Sequence, residues 1–232
     1  MRIKCSKNLF ALSLLAALSA CSDSDNGTTP MRSYEVSIYN ITANQPLTPV
    51  AVVAHTNGYT PWTLGMAASE GLEMLAESGD TGEFFTASKM NGAVEGTATG
   101  AGVIMPGNME TISIQAPDMD GLEISVATML ANTNDAFTGV ANWQINDLVV
   151  NAIASTMTKV YDAGTESNSE MSGTIPGPAD GGTGFSATRD DLNRITIHPG
   201  VVTKDDGLAS SVLNESHRWL GPAAKVVVRR IK

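Results

Sequence analysis

The sequence predicts an all-β fold, an antiparallel β-sandwich with one early helix and long loops. Many short segments alternate apolar and polar residues, which is the pattern of strands that bury one face. Glycine occurs 22 times and falls mainly between these segments, as expected of turns. One early stretch has helical periodicity. Many short strands with a single helix are typical of a sandwich that has one long crossover connection.

The predicted strands rest on period-two alternation or on short apolar runs between turn residues. In the first strand, Tyr34, Val36 and Ile38 occupy alternate positions and so share one face. Residues 49–55 instead form a nearly continuous apolar run. The predicted strands cover residues 34–39, 49–55, 111–115, 122–129, 140–145, 148–150, 157–161, 194–198 and 225–231.

The predicted helix covers residues 67–78. Leu72, Leu75 and Ala76 lie on one side, and Gly79 follows as a C-cap. The other side carries three glutamates, Glu70, Glu73 and Glu77.

Two stretches are too rich in Gly, Thr, Ser and Asn for ordinary strand interiors. Residues 90–107 are predicted as a hairpin tip or a loop, and residues 166–191 as a long polar loop. A loop of that length in a compact domain is usually functional or mobile.

The first 20 residues have the layout of a bacterial lipoprotein signal peptide. A basic start leads into a short apolar run, and Leu18-Ser19-Ala20 precedes Cys21 as in a lipobox. We expect acylation of Cys21, and several acyl chains on one residue give a stable membrane anchor. The alternative is an ordinary signal peptide cleaved after Ala20, with an incidental cysteine.

The remaining chain divides into a tether and one domain. Residues 21–33 are polar and are predicted as a flexible tether. Residues 34–232 are predicted as a single folded unit. Ser22 after the acylated cysteine favours sorting to the outer membrane, by the rule known in enteric bacteria. The expected location is therefore the bacterial cell envelope.

Composition excludes several classes of partner and site. The chain has 14 basic and 24 acidic residues, and without residues 1–20 the net charge falls from −10 to −13. Such a surface repels nucleic acid but supplies carboxylates for hard cations such as calcium. Cys5 lies in the signal and Cys21 is the lipidation site, so we expect no disulfide and no cysteine-based metal or redox site.

The three histidines are His55, His198 and His217. None belongs to an HExxH motif, and the chain has no GxSxG, CxxC or Gly-rich phosphate loop. We expect structural roles for all three. A cell-envelope hydrolase that uses His198 or His217 with acids from the long loop is the alternative. It requires a histidine within hydrogen-bond reach of a serine or an acid, inside a pocket.

Two predicted turns carry acids that can converge. Residues 132–139 contain Asp135, and residues 162–166 begin and end with Asp162 and Glu166. If the preceding strands are neighbours, the three carboxylates meet at one end of the sandwich. Calcium takes six to eight oxygens at about 2.3–2.6 Å, which such turns can provide. Asp and Asn are also common turn formers, so ordinary turns remain the alternative.

These motifs resemble the spondin N-terminal domain family. The likeness lies in DAGTE after an aromatic residue, in the Asp-aromatic-Gly turn 27 residues earlier, in ASEGLEMLAE and HTNGYTPWTLG, and in the ending PAAKVVVRRI. It covers the chain from about Tyr34 to Lys232. The resemblance implies a β-sandwich that binds calcium; the animal members are extracellular-matrix proteins involved in cell adhesion. It therefore implies a binding or adhesion module with an unknown protein or glycan ligand, and not an enzyme.

The resemblance also implies the calcium ligands Asp135, Asp162 and Glu166. Glu166 is one methylene longer than the aspartate usual in the family. Some relatives add a Glu from an earlier strand, for which Asp118 is the substitute here. Asn134 and Ala136 stand where the family usually has proline and tryptophan.

The three tryptophans suggest a second hypothesis, a platform for stacking sugars. Trp143 lies in an alternating segment and is expected in the core. Trp62 and Trp219 lie near turns, where partial exposure is expected.

Overall fold

We describe the fold from a computed structural model, which describes residues 29–232. The predicted signal peptide, Cys21 and most of the predicted tether lie outside the described residues. Within the described part of the chain, no helix is both long enough and apolar enough to cross a bilayer.

The molecule is an antiparallel sandwich of two sheets, as the sequence predicts. In chain order the elements are β1 (Met31–Asn40), β2 (Ala51–His55), α1 (Glu70–Ser78), α2 (Thr81–Lys89), β3 (Val94–Thr99), β4 (Met109–Pro117), β5 (Glu123–Met129), β6 (Ala136–Gln144), β7 (Ile153–Met157), β8 (Lys159–Asp162), β9 (Thr196–Ile197) and β10 (Ala224–Arg230). Four strands form one sheet in the order β4-β1-β10-β7. The other six form the second sheet in the order β3-β2-β5-β6-β8-β9.

Most buried apolar side chains of the described residues lie in two layers. The first lies between the sheets and includes Val36, Val52, Ile124 and Val226. The second lies where α1 and α2 cover the outer face of the six-stranded sheet, and it includes Leu72, Phe84, Val53 and Phe137. Strands β2 and β5 are therefore buried on both faces, which explains the continuous apolar run at residues 49–55.

Helix α1 ends at the predicted C-cap but begins at Glu70, three residues later than predicted. The Ser69 side chain accepts a hydrogen bond from Leu72 N, and Gly79 adopts φ 71° as the left-handed C-cap. Gly71 lies inside the helix because α2 crosses closely there: a Cβ at this position would lie 2.8 Å from the Glu83 carbonyl oxygen.

The prediction of a single helix was wrong. Helix α2 starts two residues after Gly79, with Asp80 as its N-cap. The sequence TGEFFTASK has little apolar periodicity, and only Phe84 and Ser88 are buried in it. The helix is held by its packing on α1 and on the sheet rather than by a broad apolar face.

Several strand boundaries also differ from the prediction. Strand β3 lies within residues 90–107, which were predicted as a hairpin tip or a loop. Strand β7 lies at residues 153–157, and the predicted strand at 148–150 is absent. The predicted strand at 194–198 shortens to β9. Residues 166–191 contain neither helix nor strand, in agreement with the predicted long loop.

Candidate metal site

Strands β6 and β8 are neighbours, and their ends bring two acidic segments together. Ala136, the first residue of β6, pairs with Asp162, the last residue of β8. Asp135 directly precedes β6, and its carbonyl oxygen accepts a hydrogen bond from Ala163 N at 3.3 Å. The second half of the predicted turn at 132–139 is therefore the start of a strand, and that strand positions Asp135.

The Asp135 carboxylate is enclosed by the next turn. It has no exposed surface. Its Oδ2 accepts hydrogen bonds from Thr165 N at 2.8 Å, from Thr165 Oγ1 at 3.2 Å and from Glu166 N at 3.2 Å. Its Oδ1 is buried and has no partner. A buried oxygen with no partner is uncommon and calls for an explanation such as an ion or a water molecule.

Asp162 fixes the shape of the turn. Its Oδ1 accepts from Gly164 N at 2.8 Å, and its Oδ2 accepts from Asn168 Nδ2 at 2.6 Å. Gly164 has φ 70°, and a Cβ there would lie 2.3 Å from the Arg194 carbonyl oxygen. Only glycine satisfies both requirements.

Two glutamates lie beside this turn. Glu166 is half-buried, and its Oε2 has no partner. Glu77, from the last turn of α1, is fully buried. Its Oε2 accepts from Ser186 N at 2.8 Å, whereas its Oε1 has no partner. The Thr165 side chain lies next to Glu77 as well, so Thr165 stands between Glu77 and Asp135.

Burial disfavours the charged forms of these acids. It raises the pKa of Asp135 to about 7, and the negative charge of Asp162 adds to the effect. Burial also raises the pKa of Glu166 to about 8, with further increases from Glu77 and Asp135. The pKa of Glu77 is raised by burial too. A bound cation would stabilise all three as carboxylates.

The neighbouring Glu73 already has a cation. The Arg189 guanidinium binds it with two nitrogens, Nε at 3.0 Å from Glu73 Oε1 and Nη2 at Oε2. Arg189 also donates to the Ala68 carbonyl oxygen at 3.0 Å. Asp135, Glu166 and Glu77 therefore differ from Glu73 in each having an unpartnered oxygen.

The side chains as placed do not form a closed set of ligands. Within residues 29–232, no three His, Cys, Asp or Glu side chains stand together in an arrangement that could hold a metal ion. The unpartnered oxygens fit a hard cation in chemical type, since all are carboxylate oxygens.

Asp118 does not belong to this site. It pairs with Arg32, whose Nε lies 2.5 Å from Asp118 Oδ1, beside the first residues of β1. The acids at the β6–β8 end lie near the other end of β1. There the Asn40 side chain donates to the Gln45 carbonyl oxygen, and the Gln45 side chain donates to the carbonyl oxygen of Asn132, close to Asp135 in the chain. The substitution suggested by the sequence was wrong because the strand carries Asp118 to the far end of the sandwich.

Sequence reasoning did not place Glu77 or Thr165 in the site. Glu77 was assigned to the charged side of α1, which usually faces water. It is buried because the loop at residues 166–191 folds over that side of the helix, where Ser186 and Arg189 contact Glu77 and Glu73. No pattern within α1 indicates that this side of the helix is covered by a segment more than 100 residues later in the chain.

His55 has a close serine partner, but both residues are buried. Its Nε2 lies 2.7 Å from Ser125 Oγ, and its Nδ1 lies 2.9 Å from the Thr56 carbonyl oxygen and 3.7 Å from Glu123 Oε2. His55 is 0% and Ser125 2% exposed. A substrate cannot reach this serine in the structure, so the pair fixes neighbouring strands.

The other two histidines are satisfied structurally. His198 Nδ1 accepts from Gly200 N at 2.9 Å, and its Nε2 lies 3.1 Å from Asn168 Oδ1. Burial lowers the pKa of His198 to about 4. His217 Nδ1 accepts from Asn214 N at 3.1 Å in a short 3₁₀ turn.

The tryptophans have three different environments. Trp62 packs edge-on against Phe137 and Tyr161, with ring centroids 5.2 and 5.6 Å apart, and it is 7% exposed. The expectation that it is partly exposed was wrong. Trp143 packs against the inter-sheet core, as expected, and Trp219 is half-buried.

Trp219 lines an open cleft of about 600 Å³ beside strands β7, β8 and β9. Its ring centroid lies 5.0 Å from that of His198. Leu220, Met157 and Lys159 complete much of the rim. The cleft is formed by residues other than the acids described above.

Comparison with known proteins adds one finding. A family model described as Spondin_N matches residues 38–177. The matched segment includes α1, β6 and β8 and all three acids predicted as calcium ligands. A search of curated proteins found no match.

Proposed function

This chain belongs to the spondin N-terminal domain family, and on that premise we propose that it is a calcium-binding, lipid-anchored adhesion module of a bacterial envelope. Family membership is consistent with a binding or adhesion role. The proposals of calcium binding and of a lipid anchor go beyond family membership and rest on particular residues. The ligand we propose is a protein or a glycan, and the acidic surface argues against nucleic acid.

The unpartnered Oδ1 of buried Asp135 is the observation that carries the calcium proposal. An oxygen in that position loses its hydration on folding and gains nothing in return unless an ion or a water molecule reaches it. Asp135, Asp162 and Glu166 would hold the ion. Calcium would supply charge compensation and would hold the turn after β8 against the start of β6.

Calcium suits the donors better than a softer metal. The groups around the turn are carboxylates, hydroxyls and main-chain atoms, which are ligands for hard cations. The described residues contain no cysteine, and His198 uses both ring nitrogens in hydrogen bonds. Zinc sites usually require such nitrogen or sulfur ligands.

Thermal unfolding tests the calcium proposal. Protein that has been treated with chelator and shown to be metal-free should melt at a higher temperature when millimolar calcium is added, because an ion that binds only the folded state stabilises it. Asp135→Asn should abolish the increase, whereas Asp118→Asn should preserve it. Equal melting temperatures of the wild-type protein with calcium and with chelator would overturn the proposal.

The lipid anchor is tested separately at Cys21. The full chain, expressed in a bacterium that processes lipoproteins, should incorporate labelled palmitate and should fractionate with the outer membrane. Cys21→Ser should lose the label and release the protein from the membrane fraction. Incorporation of label that persists in the variant would contradict the anchor.

The alternative of an envelope hydrolase has one supporting contact, the 2.7 Å approach of His55 to Ser125. Burial of both residues argues against it. Reaction of Ser125 with a fluorophosphonate probe, followed by peptide mapping, would favour the hydrolase over the binding module.

A further inference from the structure

Glu77 lies where a negative charge is unfavourable for two independent reasons. The residue has no exposed surface, and burial raises the free energy of a carboxylate. It is also next to the last residue of α1, and that last turn contains no basic residue. A helix C-terminus carries a partial negative charge, which disfavours an acid at this position.

One of the two carboxylate oxygens of Glu77 is left without a hydrogen-bond donor, although the Thr165 side chain is close enough to lower the pKa of Glu77. Ser186 N donates to Oε2 at 2.8 Å, while the buried Oε1 has no partner. Glu73, one turn earlier on the same side of α1, shows the usual solution, since Arg189 binds both of its oxygens. Glu77 has the same burial without an equivalent cation.

Glu77 lies close to the turn after β8. Thr165 borders Glu77 and also binds Asp135. The next residue, Glu166, carries another unpartnered oxygen. Glu77, Asp135 and Glu166 therefore all adjoin Thr165, and each has one unpartnered oxygen.

We propose that Glu77 is a further carboxylate ligand of the cation, so that the ion ties helix α1 to the turn after β8. This inference rests on the proposed calcium site and adds a ligand that the resemblance to the family did not supply. Glu77 and Asp135 are fixed by burial. Glu166 is half-exposed, and it would have to turn towards them when the ion binds.

The choice of ligands decides which parts of the fold the ion holds together. A site made only by Asp135, Asp162 and Glu166 would stabilise the edge of the six-stranded sheet. A site that includes Glu77 would also hold α1 on that sheet, together with the long loop that covers the helix. Calcium should then reduce local opening of the end of α1.

Calorimetric titration of calcium into metal-free protein tests the inference with matched variants. Glu77→Gln keeps the size and an acceptor for Ser186 N but removes the charge, and we expect at least tenfold weaker calcium binding. Glu70→Gln changes an exposed glutamate in the first turn of the same helix and should bind calcium like the wild type. Glu77→Asp keeps the charge but shortens its reach, and it should also bind more weakly.

The variants separate this inference from the proposed function. Loss of binding in Asp135→Asn with unchanged affinity in Glu77→Gln would overturn the role of Glu77 and leave the calcium site intact. No binding by the wild-type protein would overturn both.

Hydrogen exchange of the wild-type chain gives a test that needs no substitution. Calcium should slow exchange of main-chain amides in residues 74–79 as well as in residues 162–166. Protection of the turn alone, with unchanged exchange at the end of α1, would overturn the inference even if the Glu77 variants fail to fold.

Discussion

Thr165 holds the Asp135 carboxylate with both its main chain and its side chain. Its amide nitrogen lies 2.8 Å and its hydroxyl oxygen 3.2 Å from the same Oδ2. The two residues are 30 positions apart, and both are buried. This contact fixes the turn after β8 on the start of β6 and leaves Asp135 Oδ1 free for another partner.

Thr165→Val should destabilise the protein by about 1–2 kcal/mol, because it removes a buried hydroxyl that bonds to a carboxylate. The amide bond to Asp135 remains. Urea unfolding monitored by circular dichroism measures the change. Thr188→Val, at an exposed position of the long loop, should change stability by less than about 0.5 kcal/mol. Equal effects of the two substitutions would show that the Thr165 hydroxyl contributes nothing specific.

Gly164→Ala should lower the free energy of unfolding more than the same substitution at another glycine with a positive φ. The alanine meets the strain of φ 70° and a contact of 2.3 Å with the Arg194 carbonyl oxygen. Gly181 has φ 72°, but a Cβ added there would meet no atom within 4 Å. Gly181→Ala should therefore cost about 1–2 kcal/mol from strain alone, and Gly164→Ala clearly more. Similar losses in a urea titration would contradict a close approach at Gly164.

Arg189→Met should destabilise the protein by about 3 kcal/mol, because it leaves Glu73 buried without its cation. The double substitution Glu73→Gln with Arg189→Met should recover much of that loss, since no buried charge is then left. A double-mutant cycle measured by urea unfolding gives both values. Absence of recovery would mean that Arg189 acts mainly through packing or through its bond to Ala68.

His198 should make stability fall under mild acid. The ordinary pKa of 6.5 is lowered to about 4 in the folded protein, so the unfolded chain binds more protons between these values. The contribution is complete above pH 6.5 and is lost as the pH falls towards 4, and it amounts to about 3 kcal/mol. Protonation of Nδ1 would also remove the acceptor of the Gly200 N–H bond.

Comparison with His198→Asn isolates this histidine from the other titrating groups. Between pH 7 and pH 4 the free energy of unfolding of the wild type should fall by about 3 kcal/mol relative to that of the variant, with part of the change complete at pH 5.5. If the difference in unfolding free energy between the two proteins is the same at all three pH values, the pKa of His198 is not lowered by folding.

The strands that alternate cleanly could be predicted from the sequence, and the start of β6 shows why others could not. Asp135 to Gly139 resembles a turn, but Gly139 lies inside the strand. A Cβ there would lie 1.9 Å from the Val126 carbonyl oxygen, so the glycine serves a close approach of neighbouring backbones and not a reversal of the chain.

The residues of the candidate site that belong to a family motif could be predicted from the sequence. The DAGTE turn and Asp135 follow from motif resemblance, and strand pairing then brings them together. Glu77 could not be inferred, because its burial depends on Ser186 and the loop around it. Asp118 was misplaced for a similar reason, since the sequence does not show at which end of the sandwich a strand finishes.

A crystal structure of the protein grown with saturating calcium tests the central claim most directly. We predict density for one calcium ion at about 2.3–2.6 Å from carboxylate oxygens of Asp135, Asp162 and Glu166, confirmed by its anomalous signal. A well-ordered structure at the same calcium concentration, with water or nothing between these carboxylates, would contradict the claim.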